Sequence, residues 1–162
     1  MNYKDFRTAA HRHLITCLKL CEILETANTE EKRNIISDIY YLSGYVIETL
    51  LSYAIFCAAP NAIRNKPVEE HPDYERGFKT HNFQAKISFA LKHQCDFSGI
   101  NLISNLHPNN EINNLFRSWT IEVRYQHPSN FIRKPTTISE QLILEYIYVL
   151  KEMEKQFHQK YI

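Results

Sequence analysis

Residues that build tight turns are scarce in this chain, which holds three glycines and six prolines in 162 residues. A meander of short strands needs such a residue every few positions, so the scarcity excludes most all-β architectures and favours long regular elements. Net charge is also missing, with 19 lysines and arginines set against 18 acidic residues. A near-neutral chain carries no global field for a polyanion, and any such site on it must be local. The four cysteines, Cys17, Cys21, Cys57 and Cys95, form no CxxC pair. A disulfide framework is therefore not expected, and they read as reduced, small, apolar core residues. No charge-free apolar run reaches the roughly 18 residues needed to span a bilayer. Met1 to Leu20 carries Asp5, His11, Arg12 and His13 where a secretory segment would be apolar. A cytosolic protein without a membrane segment is expected.

What the chain does have is helical periodicity. Phe6, Ala10, Leu14, Cys17, Leu18, Cys21 and Leu24 recur at steps of three and four, predicting a first helix from about Tyr3 to Leu24. Asn28 with Glu31 forms a capping-box pattern that opens a second, longest helix, ended by Pro60. Apolar residues on two sides of that helix predict contact from two directions, or one face given to a partner chain. The polar stretch from Asn61 to Lys79 reads as a functional or mobile loop. Thr80 is placed to cap a third helix bearing Phe83, Ile87, Ala90 and Leu91. Asn110 starts a fourth, carrying Ile112, Leu115, Phe116, Trp119 and Val123 until Pro128 stops it. Thr137 with Glu140 opens a last one. The expected architecture is one all-α domain over residues 1–162, an up-and-down bundle of four to five helices.

The second helix holds two residues that an ordinary core helix avoids. Gly44 lies in its interior, where glycine costs roughly 1 kcal/mol against alanine. Glu48 places a carboxylate on an apolar surface, where it must find a partner. Arg124 or Arg117 from another helix is the expected partner, with Glu48 orienting the guanidinium. The tyrosines Tyr40, Tyr41, Tyr45 and Tyr53, with Trp119, read as core or interface anchors.

One region is locally basic: Arg117 to Lys134 carries Arg117, Arg124, Arg133 and Lys134 against Glu122, a net of +3 with His127 neutral. Arg117, Arg133 and Lys134 are candidate phosphate-binding residues, because guanidinium groups grip phosphate bidentately. They equally suit a solvated helix end. Arg124 and His127 form a candidate catalytic pair. A histidine can move a 2′-OH proton while an arginine stabilises phosphorane charge, with no metal and no cofactor needed. Arg76 and His81 form an alternative pair, although His81 could instead cap the third helix. His13, Cys17 and Cys21 fall at metal-ligand steps but belong to the apolar stripe, and no metal site is expected.

Three segments carry a family resemblance: YYLSGYVIETL at Tyr40 to Leu50, TH at Thr80 and His81, and RY at Arg124 and Tyr125 before a long terminal helix. In order and spacing, across roughly Asp5 to Phe157, the chain resembles the HEPN superfamily of small helical domains. The resemblance implies a four- or five-helix bundle, commonly a homodimer, from prokaryotic toxin–antitoxin, defence or nucleotidyltransferase-linked systems. A nucleotidyltransferase or an antitoxin would then be a partner, and RNA or a nucleotide the ligand. Active relatives are metal-independent endoribonucleases whose arginine and histidine lie a few residues apart, paired across the dimer. Here only Tyr125 and Gln126 separate Arg124 from His127, closer than that pattern, whereas Arg76 and His81 have the spacing at a different point of the fold.

Overall fold

The computed structural model describes residues 2–58, 66–125 and 138–161. Among them the fold is an all-α bundle of five helices: α1 (Tyr3–Leu24), α2 (Thr29–Ala58), α3 (Phe83–Lys92), α4 (Asn110–Ser118) and α5 (Glu140–Lys160). Short 3-10 turns at Val68–Glu70 and Ile121–Tyr125 and a π-helical turn at Tyr74–Phe78 complete the regular structure described.

The caps follow local hydrogen-bonding rules. Asn2 and Asp5 form a reciprocal box at the start of α1. Asn28 Oδ1 accepts from Glu30 and Glu31, while Glu31 reaches back to the Asn28 N–H at 3.0 Å, the box expected for α2. Two expected caps are displaced. Asn82, not Thr80, caps α3, accepting from Ala85 N at 2.9 Å, and this leaves His81 just outside the helix. Ser139 caps α5, accepting from Leu142 N at 3.1 Å; Thr137 lies outside the described residues.

The fourth helix also ends earlier than its apolar spacing predicts. Trp119 turns extended at ψ 130°, and Ile121–Tyr125 continues as a 3-10 turn. β-Branched Thr120, Ile121 and Val123 favour helix weakly, and tertiary contacts of the Trp119 ring hold the backbone out of the helical path. Within the expected loop, Val68, His71 and Phe78 are buried, so the part at residues 66–79 is packed structure; residues 59–65 are not described.

α2 is the central element. It packs most extensively on α1 and also meets α5, α3 and the 121–125 turn, which accounts for apolar residues on two of its sides. Ile39, Tyr40, Val46, Ile47, Leu50, Leu51, Ala54 and Phe56 are wholly buried. By length and composition α2 could also cross a membrane, yet 61% of its most apolar window is buried inside the protein, as in a core helix. α1 contributes Ala10, Leu14, Cys17 and Leu24, and α5 contributes Tyr146, Leu150, Met153 and Phe157. Burial pushes the Cys17 thiol up to about 12 and the Cys21 thiol up to about 11, so neither is a ready thiolate.

Three histidines tie stability to pH. Burial holds His13, His71 and His158 below the ordinary imidazole value. His158 Nε2 is 4.0 Å from Glu154 Oε1 and has no hydrogen-bond partner among the described residues. Because the folded value is the lower one, the unfolded chain binds more protons as pH falls through about 6.5. Stability is therefore lost on acidification. The thermal midpoint is expected to be lower at about pH 5.5 than at about pH 7.5, with a flatter dependence in His158→Gln. Equal midpoints at both pH values would contradict this assignment.

Candidate functional site

Gly44, Glu48 and Ser52 recur every four residues and so lie along one face of α2. Each meets a different residue that follows α2 in the chain. Gly44 abuts Trp119 so closely that a Cβ there would stand 1.7 Å from Trp119 Cε2. Glu48 Oε2 lies 2.7 Å from His81 Nδ1. Ser52 Oγ accepts from Lys86 Nζ at 3.0 Å. This stripe of small and polar residues is the seam on which the site is built.

The Glu48–His81 pair is half enclosed: the glutamate side chain is 12% exposed and the histidine 42%. A carboxylate only accepts, so the bonded nitrogen, Nδ1, carries the hydrogen, and Nε2 of the neutral ring keeps its lone pair. His81 stands in the non-helical stretch between the π-helical turn and α3. There Asn82 caps the helix and Thr80 Oγ1 accepts from Asn82 N at 3.3 Å.

His81 and Asn82 form one side of an open cleft of about 250 Å³, and Trp119, Thr120, Ile121 and Glu122 form the other. The Trp119 ring is fixed from several directions. It stacks on Phe83 at 4.9 Å and 2°, forms a T-shaped pair with Tyr45 at 5.8 Å, and donates from Nε1 to the Tyr41 carbonyl at 3.2 Å. A hydrogen bond from Thr120 holds the exposed Glu122 carboxyl below the usual carboxylate range. The cleft thus joins an oriented imidazole to an ionised carboxylate over a rigid aromatic base.

The expected site residues separate accordingly. His81 enters the cleft, and Glu48 is bound to it rather than to Arg117, which is exposed on the last turn of α4. Arg76 is exposed on the π-helical turn and is not among the described residues lining the cleft. The backbone of Arg124 and Tyr125 belongs to the 121–125 turn whose first residues, Ile121 and Glu122, line the cleft. The side chains of these two residues, and all of His127, Arg133 and Lys134, lie outside the described residues.

Sequence reasoning missed Lys86, which is wholly buried within the site's support. The signal was present: Lys86 shares the apolar face of α3 with Phe83, Ile87 and Ala90, a place where a lysine needs an explanation. The Gly44–Glu48–Ser52 spacing was legible as well. Compared with known proteins, the chain matches no family model, no curated protein and no solved structure.

Proposed function

We propose that this chain is a HEPN-like, RNA- or nucleotide-associated protein of a prokaryotic toxin–antitoxin or defence-type system, acting as a metal-independent endoribonuclease at the His81 cleft. The observation that supports the reading is the 2.7 Å bond from His81 Nδ1 to Glu48, the one carboxylate on the apolar stretch of α2. That bond orients the ring and leaves Nε2 to act on a ligand in the cleft. Nε2 would take the 2′-OH proton of a bound ribose as O2′ attacks the adjacent phosphorus. The 5′-oxygen then leaves and is protonated, and a 2′,3′-cyclic phosphate remains. The 121–125 turn brings the Arg124 backbone to this side of the molecule, which suits the charge-stabilising role expected of that arginine. Four free thiols suit a reducing cytoplasm, and a homodimer would supply a second copy of the site.

A second reading has its own observation. The ionised Glu122 on the cleft wall opposes a phosphate there, which favours a non-cleaving module that docks a partner such as a nucleotidyltransferase. Incubation of the purified protein with structured and single-stranded RNA in EDTA separates the two. Products ending in 2′,3′-cyclic phosphate are expected. A folded protein that yields no product would overturn the ribonuclease reading in favour of docking.

A further inference from the structure

Glu48 reaches the site from a long helix and His81 from a stretch outside any regular element. Glu48 is anchored in the middle of α2. His81 stands in four residues, 79–82, that belong to neither the π-helical turn before them nor α3 after them. A hydrogen bond at 2.7 Å between such partners requires that the His81 segment be tied to α2 by something other than regular secondary structure.

The tie is Lys86. Its side chain has no exposed surface, and its ammonium donates to Ser52 Oγ at 3.0 Å, the Gly77 carbonyl at 3.1 Å and the Phe78 carbonyl at 2.8 Å. An ammonium has three hydrogens, and these three acceptors use them all. The two carbonyls lie at the end of the π-helical turn, three and four residues before His81, where helical hydrogen bonding runs out. Ser52 Oγ in turn donates to the Glu48 carbonyl at 2.9 Å. One buried nitrogen therefore joins α2 one turn beyond Glu48, the chain just before His81, and α3 just after it. The packing is tight on the same side: a Cβ at Gly77 would stand 2.4 Å from the Phe89 ring of α3.

We propose that Lys86 is the positioning residue of the Glu48–His81 site, holding the His81 segment in register with α2 so that Nδ1 meets the carboxylate. The inference rests on the Glu48–His81 pair being the functional site. It deepens that reading by naming what sets its geometry. Lys86 does not itself act on a ligand, because it is sealed from solvent and all its donors are engaged. Burial lowers its pKa to about 8, against the raising influence of the Glu48 charge, so the cation is held by its three oxygens and by the carboxylate whose partner it places.

The test is nitrogen-detected NMR of the His81 ring in the full chain near neutral pH, for wild type, Lys86→Met and Ser52→Ala. The wild-type neutral ring is expected to carry its proton on Nδ1. In folded Lys86→Met that preference is expected to be lost as the ring averages between tautomers, with RNA cleavage down on the order of tenfold or more. If Lys86→Met does not fold, Ser52→Ala decides, because it keeps the ammonium and removes one acceptor together with the link to Glu48; a partial loss of the Nδ1-protonated form is expected. An unchanged His81 signature in folded Lys86→Met, or in Ser52→Ala where that variant decides, would overturn the proposal. Failure of the ribonuclease reading looks different: wild type would show the Nδ1-protonated ring and cleave no RNA, while loss of that form in the variants would still support the positioning role.

Discussion

Gly44→Ala is expected to destabilise the protein, although alanine is the better helix former by about 1 kcal/mol. The added methyl would sit 1.7 Å from Trp119 Cε2, far inside contact distance, so the ring or the helix must move. The ring has no easy route, being stacked on Phe83, in a T-shaped pair with Tyr45 and hydrogen-bonded to the Tyr41 carbonyl. Overpacking of a fixed core usually costs about 1–3 kcal/mol, and a clash this close belongs at the upper end, so a net loss of roughly 1–2 kcal/mol remains after the helix-propensity gain. For a chain of this size that lowers the thermal midpoint by about 2–8 °C. Because Trp119 also lines the cleft, the Thr120–Glu122 wall should shift with it. A Gly44→Ala/Trp119→Leu double variant is expected to cost less than the two single changes added together, since the smaller side chain vacates the space the methyl needs. Strict additivity in a denaturation double-mutant cycle would show that the Gly44–Trp119 contact is not what fixes the glycine.

His81→Ala should have the largest effect on activity. If Nε2 is the group that takes the 2′-OH proton, removing the ring lowers cleavage by roughly 10²- to 10⁴-fold, the usual worth of a positioned acid–base group. RNA binding should be nearly unchanged. Glu48→Gln should act more mildly, on the order of tenfold, because an amide still bonds Nδ1 but also offers a donor that favours the wrong tautomer. The pair of variants separates chemistry from affinity: gel-shift binding near wild type with cleavage lost in the order His81→Ala, then Glu48→Gln, supports the dyad. Equal cleavage in wild type and His81→Ala would remove His81 from the mechanism and return the acid–base role to His127.

The helices themselves were written in local sequence. Steps of three and four in Phe6, Ala10, Leu14, Cys17, Cys21 and Leu24 made α1 readable, and the reciprocal Asn28–Glu31 box marked the start of α2, because both depend on residues within a turn of each other. Gly44 and Glu48 were visible as anomalies for the same reason, each conflicting with its own neighbourhood. What each was for was not visible. Gly44 exists for a tryptophan 75 positions away, and Glu48 is met by a histidine from the stretch just before α3. The early end of α4 at Ser118 and the burial of Lys86 likewise follow from where α3 and the 119–125 segment come to rest against α2. Periodicity and capping are set by short-range sterics and hydrogen bonds, so the sequence alone determined the helices and the oddity of their exceptions. The pairing of those exceptions depends on which helix faces pack together, and only the tertiary structure decided that.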